Sequence, residues 1–339
     1  MMPVAMVGRA DELVELAQAW APIAASGRGG PRTAVVTGAA GVGKSLLLAT
    51  ALAGFEPAPV SVLSGRARVH TPAPYDWLAA VLTGRDTRDL PVPPAALAWL
   101  AQHPDLPPER YAPGALLRLA VGVVRALVGA GPAVLVVEDL HALDPASLNL
   151  VGELAVAPEL PALLLVTSQP ADTAIAPQLT ARTLARLSGA PGAIRQHLGP
   201  FDVDDVAAVL ARLYPGRPVP AEVSDAVHER TGGNPYWLVE WVASAGGSDP
   251  EALLGYPLPE HVRLTAQAPG TPGVELTARE IEVLSCLAAG MSNKQVARSL
   301  DISIRTVAVH VSNLLRKTSS TSRTEAALWA VRHRVTSRS

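Results

Sequence analysis

Glycines, a lysine and a serine lie together in the run Gly38-Ala-Ala-Gly-Val-Gly-Lys44-Ser45. Glycines let backbone N–H groups turn inward around a phosphate, and a helix that begins there adds the positive end of its dipole. The ammonium of Lys44 is expected to reach the β- and γ-phosphates of a nucleotide, and the hydroxyl of Ser45 to hold Mg²⁺. Lys44 is also the only lysine before Lys294. The pattern therefore predicts a phosphate-binding loop (P-loop); the alternative is a glycine-rich turn with a chance lysine.

Two adjacent carboxylates, Glu138 and Asp139, follow the apolar run 133–137. This pattern predicts a buried parallel strand that presents acids at its C-terminal edge, where ligands bind in open α/β sheets. It is typical of a Walker B strand, in which Glu138 holds the Mg²⁺ shell and Asp139 orients the water that attacks the γ-phosphate. A solvated strand end is the alternative.

Two further polar residues come soon after these acids. Asp144 precedes Pro145 and is expected to be an ordinary helix N-cap with proline at the first helical position. His141 is as compatible with a structural hydrogen bond as with catalysis.

A third group of polar and basic residues lies near the C-terminus. Thr277 and Glu280 form a capping box before a first helix, and a second segment begins at Ser292. After a tight turn at 301–303, a third segment carries apolar residues on one face and polar or basic residues on the other. This order predicts a helix-turn-helix that binds the major groove, with a generic three- or four-helix bundle as the alternative. The predicted DNA-contacting residues are Asn293, Lys294, Arg305, Thr306, Val309, His310, Ser312, Asn313, Arg316 and Lys317.

The charge is distributed unevenly along the chain. Residues 274–339 hold ten Lys/Arg against five Asp/Glu, whereas residues 1–273 hold eighteen against twenty-five. A basic C-terminal module on an acidic body is typical of nucleic-acid binding at that end, although solvated surface charge would give the same asymmetry.

Five apolar runs predict the strands that position the first two groups, at 33–37, 60–63, 133–137, 163–166 and 193–198. Helical periodicity after residue 201 predicts a small helical cluster. The expected fold class is an α/β P-loop NTPase core with a parallel sheet and a small helical lid, plus an all-α C-terminal helix-turn-helix domain. The predicted division is 1–200 for the core, 201–245 for the lid, 246–273 for a linker and 274–339 for the DNA-binding domain. The prolines between 91 and 113 are expected to lie in surface connections.

Composition excludes several classes of protein. A chain of 339 residues with 49% hydrophobic and 17% charged residues is expected to be soluble and globular. Its single cysteine, Cys286, allows no intramolecular disulfide and fits a reducing cytoplasm. The opening residues carry no basic segment followed by a long apolar stretch, so no secretion signal is expected. The longest apolar region, 115–137, is interrupted by arginines and a Gly-Pro pair, so no membrane partner is expected.

The C-terminal residues resemble the LuxR-type helix-turn-helix. The resemblance is carried by ELTAREIEVL (275–284), GMSNKQVA (290–297), ISIRTVAVH (302–310) and SRTEAA (322–327). It implies double-stranded DNA with inverted repeats as the ligand, and a homodimer or higher oligomer on DNA formed through the last helix, about 323–333. Ala308 and Ser312 stand where many relatives carry basic residues, which leaves the base preference open.

The N-terminal 245 residues resemble the signal-transducing P-loop ATPases (AAA/STAND-like) of large LuxR-type activators. The matching motifs are Val7-Gly8-Arg9, the P-loop, VVEDLH (136–141) with Asp144-Pro145, and Gly233-Asn-Pro235. The resemblance implies that Arg9 and Pro235 lie near the nucleotide. Gln169 departs from it, because relatives usually have an arginine at this position that senses the γ-phosphate. A long helical-repeat region is also missing. The predicted nucleotide-binding residues are Arg9, Gly38, Gly41, Val42, Gly43, Lys44, Ser45, Leu46 and Pro235.

Together these patterns predict a transcriptional regulator in which ATP and Mg²⁺ control dimerisation or DNA binding, with RNA polymerase as a further candidate partner. As an enzyme it would be at most a slow ATPase. One alternative keeps DNA binding with a degenerate, non-switching ATPase domain. The other is an NTPase that its helix-turn-helix localises. The rate of ATP turnover distinguishes the localised NTPase from a switch. Typical enzymes turn over at about 1–10³ s⁻¹, and a switch can be far slower.

Overall fold

The computed structural model describes most of the N-terminal three-quarters of the chain and selected residues beyond it. The described residues are 6–26, 29–66, 73–103, 110–129, 131–246, 249–257, 278–288, 291, 293–300, 302–303, 306–307, 310–311, 314–315 and 326. The chain divides into two compact units, Met1–Ala266 and Gln267–Ser339. Within the described residues, none of the helices combines the length and the apolar character that a membrane crossing requires.

Five parallel strands form one sheet in the order β2-β3-β4-β1-β5. Side chains alternate between its two faces: Val134 and Val136 of β3 pack on one side, and Leu135 and Val137 on the other. Both faces are buried, which explains why the central strands are almost continuously apolar. The strands are β1 Arg32–Gly38, β2 Ser61–Arg66, β3 Ala133–Glu138, β4 Ala162–Ser168 and β5 Ile194–Leu198.

Helices cover both faces of this sheet. The first two helices bury Leu16, Trp20 and Leu47 against one face, and the next five cover the other with Trp77, Leu100 and Val124 among the buried residues. Short 3₁₀ turns at Leu140–Ala142 and Ala171–Thr173 follow β3 and β4. The helices are α1 Ala10–Ser26, α2 Lys44–Ala53, α3 Asp76–Leu82, α4 Pro94–Leu100, α5 Pro113–Val128, α6 Pro145–Leu154 and α7 Pro177–Ser188.

The proline-rich stretch differs from the prediction of surface connections. Pro94 and Pro113 each occupy the first turn of a helix, and Leu100 of α4 is fully buried. Proline is tolerated there because the first N–H groups of a helix have no intrahelical acceptor. The prediction was wrong for Pro94 and Pro113, because it took each proline as a helix breaker and these two begin helices of the core.

Four helices after β5 form a separate apolar cluster. It is built around Val206, Leu210, Val227 and Trp241, and Leu253 is also fully buried in it. Leu253 belongs to the predicted linker (246–273). The start of the predicted linker therefore packs against the helices that precede it. These helices are α8 Val203–Leu213, α9 Ala221–Thr231, α10 Pro235–Ala245 and α11 Ala252–Gly255.

The C-terminal unit has its own small core. Helices α12 Ala278–Ala288 and α13 Asn293–Ser299 bury Leu284, Leu287 and Val296. Val307 and Leu314, which lie on helical backbone, are fully buried in the same cluster, in agreement with the predicted apolar face. Thr277, the predicted cap of the first helix, lies outside the described residues.

The predicted fold class is confirmed: a parallel α/β P-loop core with a helical cluster, and a helical C-terminal domain. The division into core, lid, linker and DNA-binding domain stays a prediction.

Candidate functional site

The carboxyl ends of three neighbouring strands bring the predicted residues together. Strand β4 lies between β1 and β3, so the P-loop after β1 and the acids after β3 meet above it. The hydroxyl of Ser45 donates a hydrogen bond of 2.7 Å to Oε2 of Glu138. Ser45 and Glu138, which are 93 positions apart in the sequence, are thus in direct contact in the fold.

The P-loop depends on glycine at two positions. Gly43 has φ 96° and precedes α2 as its N-cap, a conformation that other L-residues rarely adopt. Gly41 has φ 79°, and a Cβ there would lie 2.6 Å from Oδ1 of Asn234. The loop therefore needs glycine both for its backbone turn and for its contact with the helical cluster.

Lys44 is buried, and its ammonium points back along the loop. Its Nζ donates hydrogen bonds to the carbonyls of Gly38 at 2.9 Å and Ala39 at 2.8 Å. Burial lowers the pKa of Lys44, and the carboxylate of Asp139 opposes that shift. The cation is thus held within the loop by carbonyl oxygens, which a phosphate oxygen of opposite charge can replace as its partners.

Asp139 has a backbone conformation that non-glycine residues seldom adopt, with φ 54°. Its N–H donates a 3.0 Å hydrogen bond to Oγ1 of Thr167 on β4, which holds the turn in place. The turn keeps the side chain of Asp139 at the strand edge and 36% exposed. Such strained positions persist where neighbouring contacts determine them, often at functional sites.

The residues present fit a Mg²⁺-nucleotide. A hydroxyl and a carboxylate oxygen, 2.7 Å apart, are the ligand types that Mg²⁺ uses together with substrate phosphates. Open space also surrounds the position that a Cβ would take on Gly43. Ser45 and Glu138 would hold the cation, and the loop from Gly38 to Lys44 would hold the phosphates.

The Gly-Asn-Pro turn touches the P-loop directly. Nδ2 of Asn234 donates to the carbonyl of Ala40 at 2.9 Å, and the N–H of Tyr236 donates to the carbonyl of Gly41 at 3.2 Å. Oδ1 of Asn234 accepts hydrogen bonds from the N–H groups of Tyr236 and Trp237 and so caps α10. One amide thus serves both the helix start and the loop, a contact that the sequence pattern did not reveal.

Four other predicted nucleotide-binding residues have different surroundings. Arg9 is buried, donates from Nη2 to the carbonyl of Gly199 and lies 5.4 Å from the ring centre of Phe201. It therefore joins the end of β5 to the start of the helical cluster. Val42 is buried in the core, and Leu46 is exposed on α2. Pro235 is the first residue of α10. Contact of these four residues with a nucleotide stays a prediction.

His141 makes a structural hydrogen bond. Its Nδ1 accepts from the N–H of Gln169 at 3.2 Å, and its carbonyl accepts from Ile175 at 3.0 Å. Burial lowers the pKa of His141, and of the two nearby charges Asp139 opposes this shift and Lys44 adds to it. The neutral imidazole thus links the ends of β3 and β4, and Gln169 takes part through its backbone.

Asp144 is the predicted N-cap of α6, and it also caps a second helix. Its Oδ1 accepts from Ala146 at 2.9 Å and Ser147 at 3.0 Å. The same carboxylate accepts from the N–H groups of Tyr75 at 3.1 Å and Asp76 at 3.2 Å, where α3 begins. The expectation of an N-cap is confirmed, but the link to α3 was missed because it joins residues nearly 70 positions apart.

Arg66 is a site residue that sequence reasoning missed. The sequence predicted that β2 ends at Leu63, but the strand continues to Arg66, which pairs in register with Glu138. Nη2 of Arg66 lies 2.6 Å from Oε2 of Glu138, and Nε lies 3.9 Å from Oδ2 of Asp139. The one available signal was the alternation of small and polar residues after Leu63.

In the C-terminal unit the structure describes only some of the predicted DNA contacts. Thr306 is exposed, and its N–H donates a hydrogen bond of 3.0 Å to Oγ of Ser303 at the start of the third segment. His310 is half-buried and helical, and Asn293 begins α13. For Lys294 the backbone is helical and the side chain is outside the described part. The remaining predicted contacts lie outside the described residues: Arg305, Val309, Ser312, Asn313, Arg316 and Lys317.

Two known families match separate segments of the chain. Residues 274–330 match the bacterial regulatory proteins of the luxR family, and residues 5–166 match the AAA ATPase domain. The chain therefore carries a LuxR-type helix-turn-helix domain at its C-terminal end and an AAA-type P-loop ATPase domain in its N-terminal part.

Two curated relatives each match a short part of the chain. The nitrate/nitrite response regulator protein NarL of Escherichia coli K12 is 46% identical over 61 residues, which is 18% of this chain and 28% of NarL. The uncharacterized transcriptional regulatory protein YhcZ of Bacillus subtilis is 52% identical over 59 residues, 17% of this chain and 28% of YhcZ. The chain thus matches less than a third of the length of these relatives.

Among solved structures, the chain resembles the ORC1 protein of Aeropyrum pernix, which was determined in complex with DNA. The TM-score is 0.53 at 14% identity, over 92% of this chain and 84% of that protein. At this identity the likeness concerns the fold alone.

Proposed function

We propose that this protein is a cytoplasmic, ATP-binding, sequence-specific DNA-binding transcriptional regulator in which the nucleotide state controls dimerisation or DNA binding. The observation that carries the proposal is the contact between Ser45 and Glu138, 2.7 Å long, beside a complete P-loop. The same chain has a luxR-family domain at residues 274–330. A site suited to phosphate and Mg²⁺ and a DNA-binding module in one chain favour a nucleotide-controlled regulator.

Within this proposal, ATP with Mg²⁺ lies between the P-loop and the helical cluster. The bond from Asn234 to Ala40 gives a route by which phosphate binding changes how these helices sit on the core. Asp139 orients the attacking water if hydrolysis occurs, and slow turnover returns the protein to its starting state. Pairing of two C-terminal modules on an inverted repeat raises the effective affinity by about 10²–10⁴-fold.

The test is selection of fragmented genomic DNA by the purified full-length protein at fixed salt, with ATP and Mg²⁺ or without nucleotide. Salt is fixed because phosphate contacts make DNA affinity steeply salt-dependent. We expect defined sites to be enriched only with ATP. Equal enrichment without nucleotide would contradict control by the nucleotide, and rapid turnover without DNA selection would favour the NTPase alternative.

The substitution Lys44→Ala connects this test to the P-loop. Removal of a charge-assisted phosphate contact is expected to weaken ATP binding by about 10- to 100-fold and to abolish ATP-dependent DNA enrichment. Arg186→Ala is the matched control, because Arg186 is an exposed cation paired with Glu153 on α6. DNA occupancy that depends on ATP equally in Lys44→Ala and in wild type would argue against this role of the P-loop.

A further inference from the structure

Arg66 has a backbone held by its neighbours and a side chain that is largely exposed. A Cβ on the preceding Gly65 would lie 2.5 Å from the carbonyl of Trp77, so α3 packs directly on this end of β2. The indole Nε1 of Trp77 donates to the carbonyl of Val136 at 2.9 Å, which ties α3 to β3 as well. The guanidinium, by contrast, is on a side chain that is 62% exposed. Arg66 thus starts from a defined position and can change partners.

The charges at the strand ends give Arg66 a distinct place. Lys44 directs its ammonium to the carbonyls of Gly38 and Ala39. Among the residues that the structure describes, the ion pairs of Glu138 and Asp139 are both made with Arg66. One arginine therefore offsets part of the negative charge of the acids that would face Mg²⁺.

Arg66 and Ser45 donate to the same oxygen, Oε2 of Glu138, at 2.6 and 2.7 Å. Mg²⁺ held by Ser45 and Glu138 would compete with the guanidinium for the carboxylate of Glu138 and would repel it. A guanidinium is a planar fork suited to the oxygens of a phosphate. In P-loop sites the cation lies between the β- and γ-phosphates, so an arginine released there is beside the end of the nucleotide where ATP and ADP differ.

We propose that Arg66 is a specificity-determining residue that passes from Glu138 to the γ-phosphate when Mg²⁺-ATP binds, and so makes this site prefer ATP over ADP. The inference rests on the proposed nucleotide binding and adds to it the group that distinguishes the two nucleotides. It concerns binding and does not require that ATP is hydrolysed.

The test measures the dissociation constants of ATP and ADP by titration calorimetry, with Mg²⁺ at fixed salt, for the full-length protein and Arg66→Gln. Gln keeps most of the side chain and removes the charge. We expect ATP binding to weaken by about tenfold or more, because a hydrogen bond between charged groups is lost. ADP binding is expected to change by less than about threefold, since only an exposed ion pair is removed.

Two further variants serve as controls. Arg186→Gln removes an exposed arginine whose Nη1 lies 3.0 Å from Oε1 of Glu153, and it should leave both dissociation constants unchanged. Arg66→Lys keeps the charge without the fork and should restore only part of the ATP preference. Thermal unfolding of each variant shows whether it is folded.

The outcomes separate this inference from the proposed function. Equal loss of ATP and ADP affinity in Arg66→Gln, an unchanged ratio, or a wild-type protein without ATP preference would overturn the role of Arg66 while nucleotide binding stands. Failure of the wild-type protein to bind either nucleotide would instead contradict the proposed function, and the inference with it.

Discussion

Two acidic positions lie a few residues apart and have opposite surroundings. Asp144 is 4% exposed and accepts hydrogen bonds from four backbone N–H groups. Glu138, whose side chain is 22% exposed, is bonded by two side chains, Ser45 and Arg66. Backbone donors cannot turn away, whereas a hydroxyl and a guanidinium can. The first carboxylate therefore holds the fold together, and the second remains available to a ligand.

The largest expected effect in this comparison comes from Asp144→Ala. It leaves backbone N–H groups at the starts of α3 and α6 without acceptors in a buried place, and we expect a loss of about 3–5 kcal/mol in the free energy of unfolding. Urea denaturation followed by tryptophan fluorescence measures it. The matched control is Asp202→Ala, because Asp202 caps α8 through a single bond to Asp205 and should cost about 1 kcal/mol. Equal costs would contradict the two-helix role of Asp144.

An intermediate effect is expected from pH through His141. Burial lowers the pKa of His141 in the folded protein from 6.5, so the unfolded chain takes up the proton first as the pH falls. The contribution of His141 to the free energy of unfolding should therefore be constant above about pH 6.5 and decrease below it, by at most about 1.4 kcal/mol per pH unit for this one proton. His141→Asn keeps an acceptor for the N–H of Gln169 and should remove that part of the decrease. Identical pH profiles for the two proteins would contradict this assignment.

The smallest effect on stability is expected from Glu138→Ala. Its partner Arg66 is exposed, and exposed ion pairs contribute about 0–1 kcal/mol, so the free energy of unfolding should change by no more than that. The Mg²⁺-dependent part of ATP binding, measured by calorimetry, should nevertheless be lost. A loss of unfolding free energy as large as that of Asp144→Ala would show that both acids are structural and would contradict the difference between them.

Local sequence signals predicted much of the sheet and, within the site, the position of the P-loop. Apolar runs placed β3 and β4, and glycine spacing placed the loop that ends at Lys44, because those signals lie within a few residues of each other. Arg66 was missed because its role depends on the pairing of β2 with β3, which joins residues 72 positions apart. The second partners of Asp144 and Asn234 were missed for the same physical reason. A short motif shows what a side chain can do, but the tertiary fold selects which backbone it meets.

The amide of Asn234 has a consequence for mutational analysis. Because its oxygen caps α10 and its nitrogen bonds to Ala40 of the P-loop, a substitution at this position is two perturbations at once. In a double-mutant cycle, changes at Gly41 and Asn234 should be non-additive, since a Cβ at Gly41 would lie against the same side chain. The loop and the start of α10 therefore form one thermodynamic unit, and the cost of altering either will depend on the state of the other.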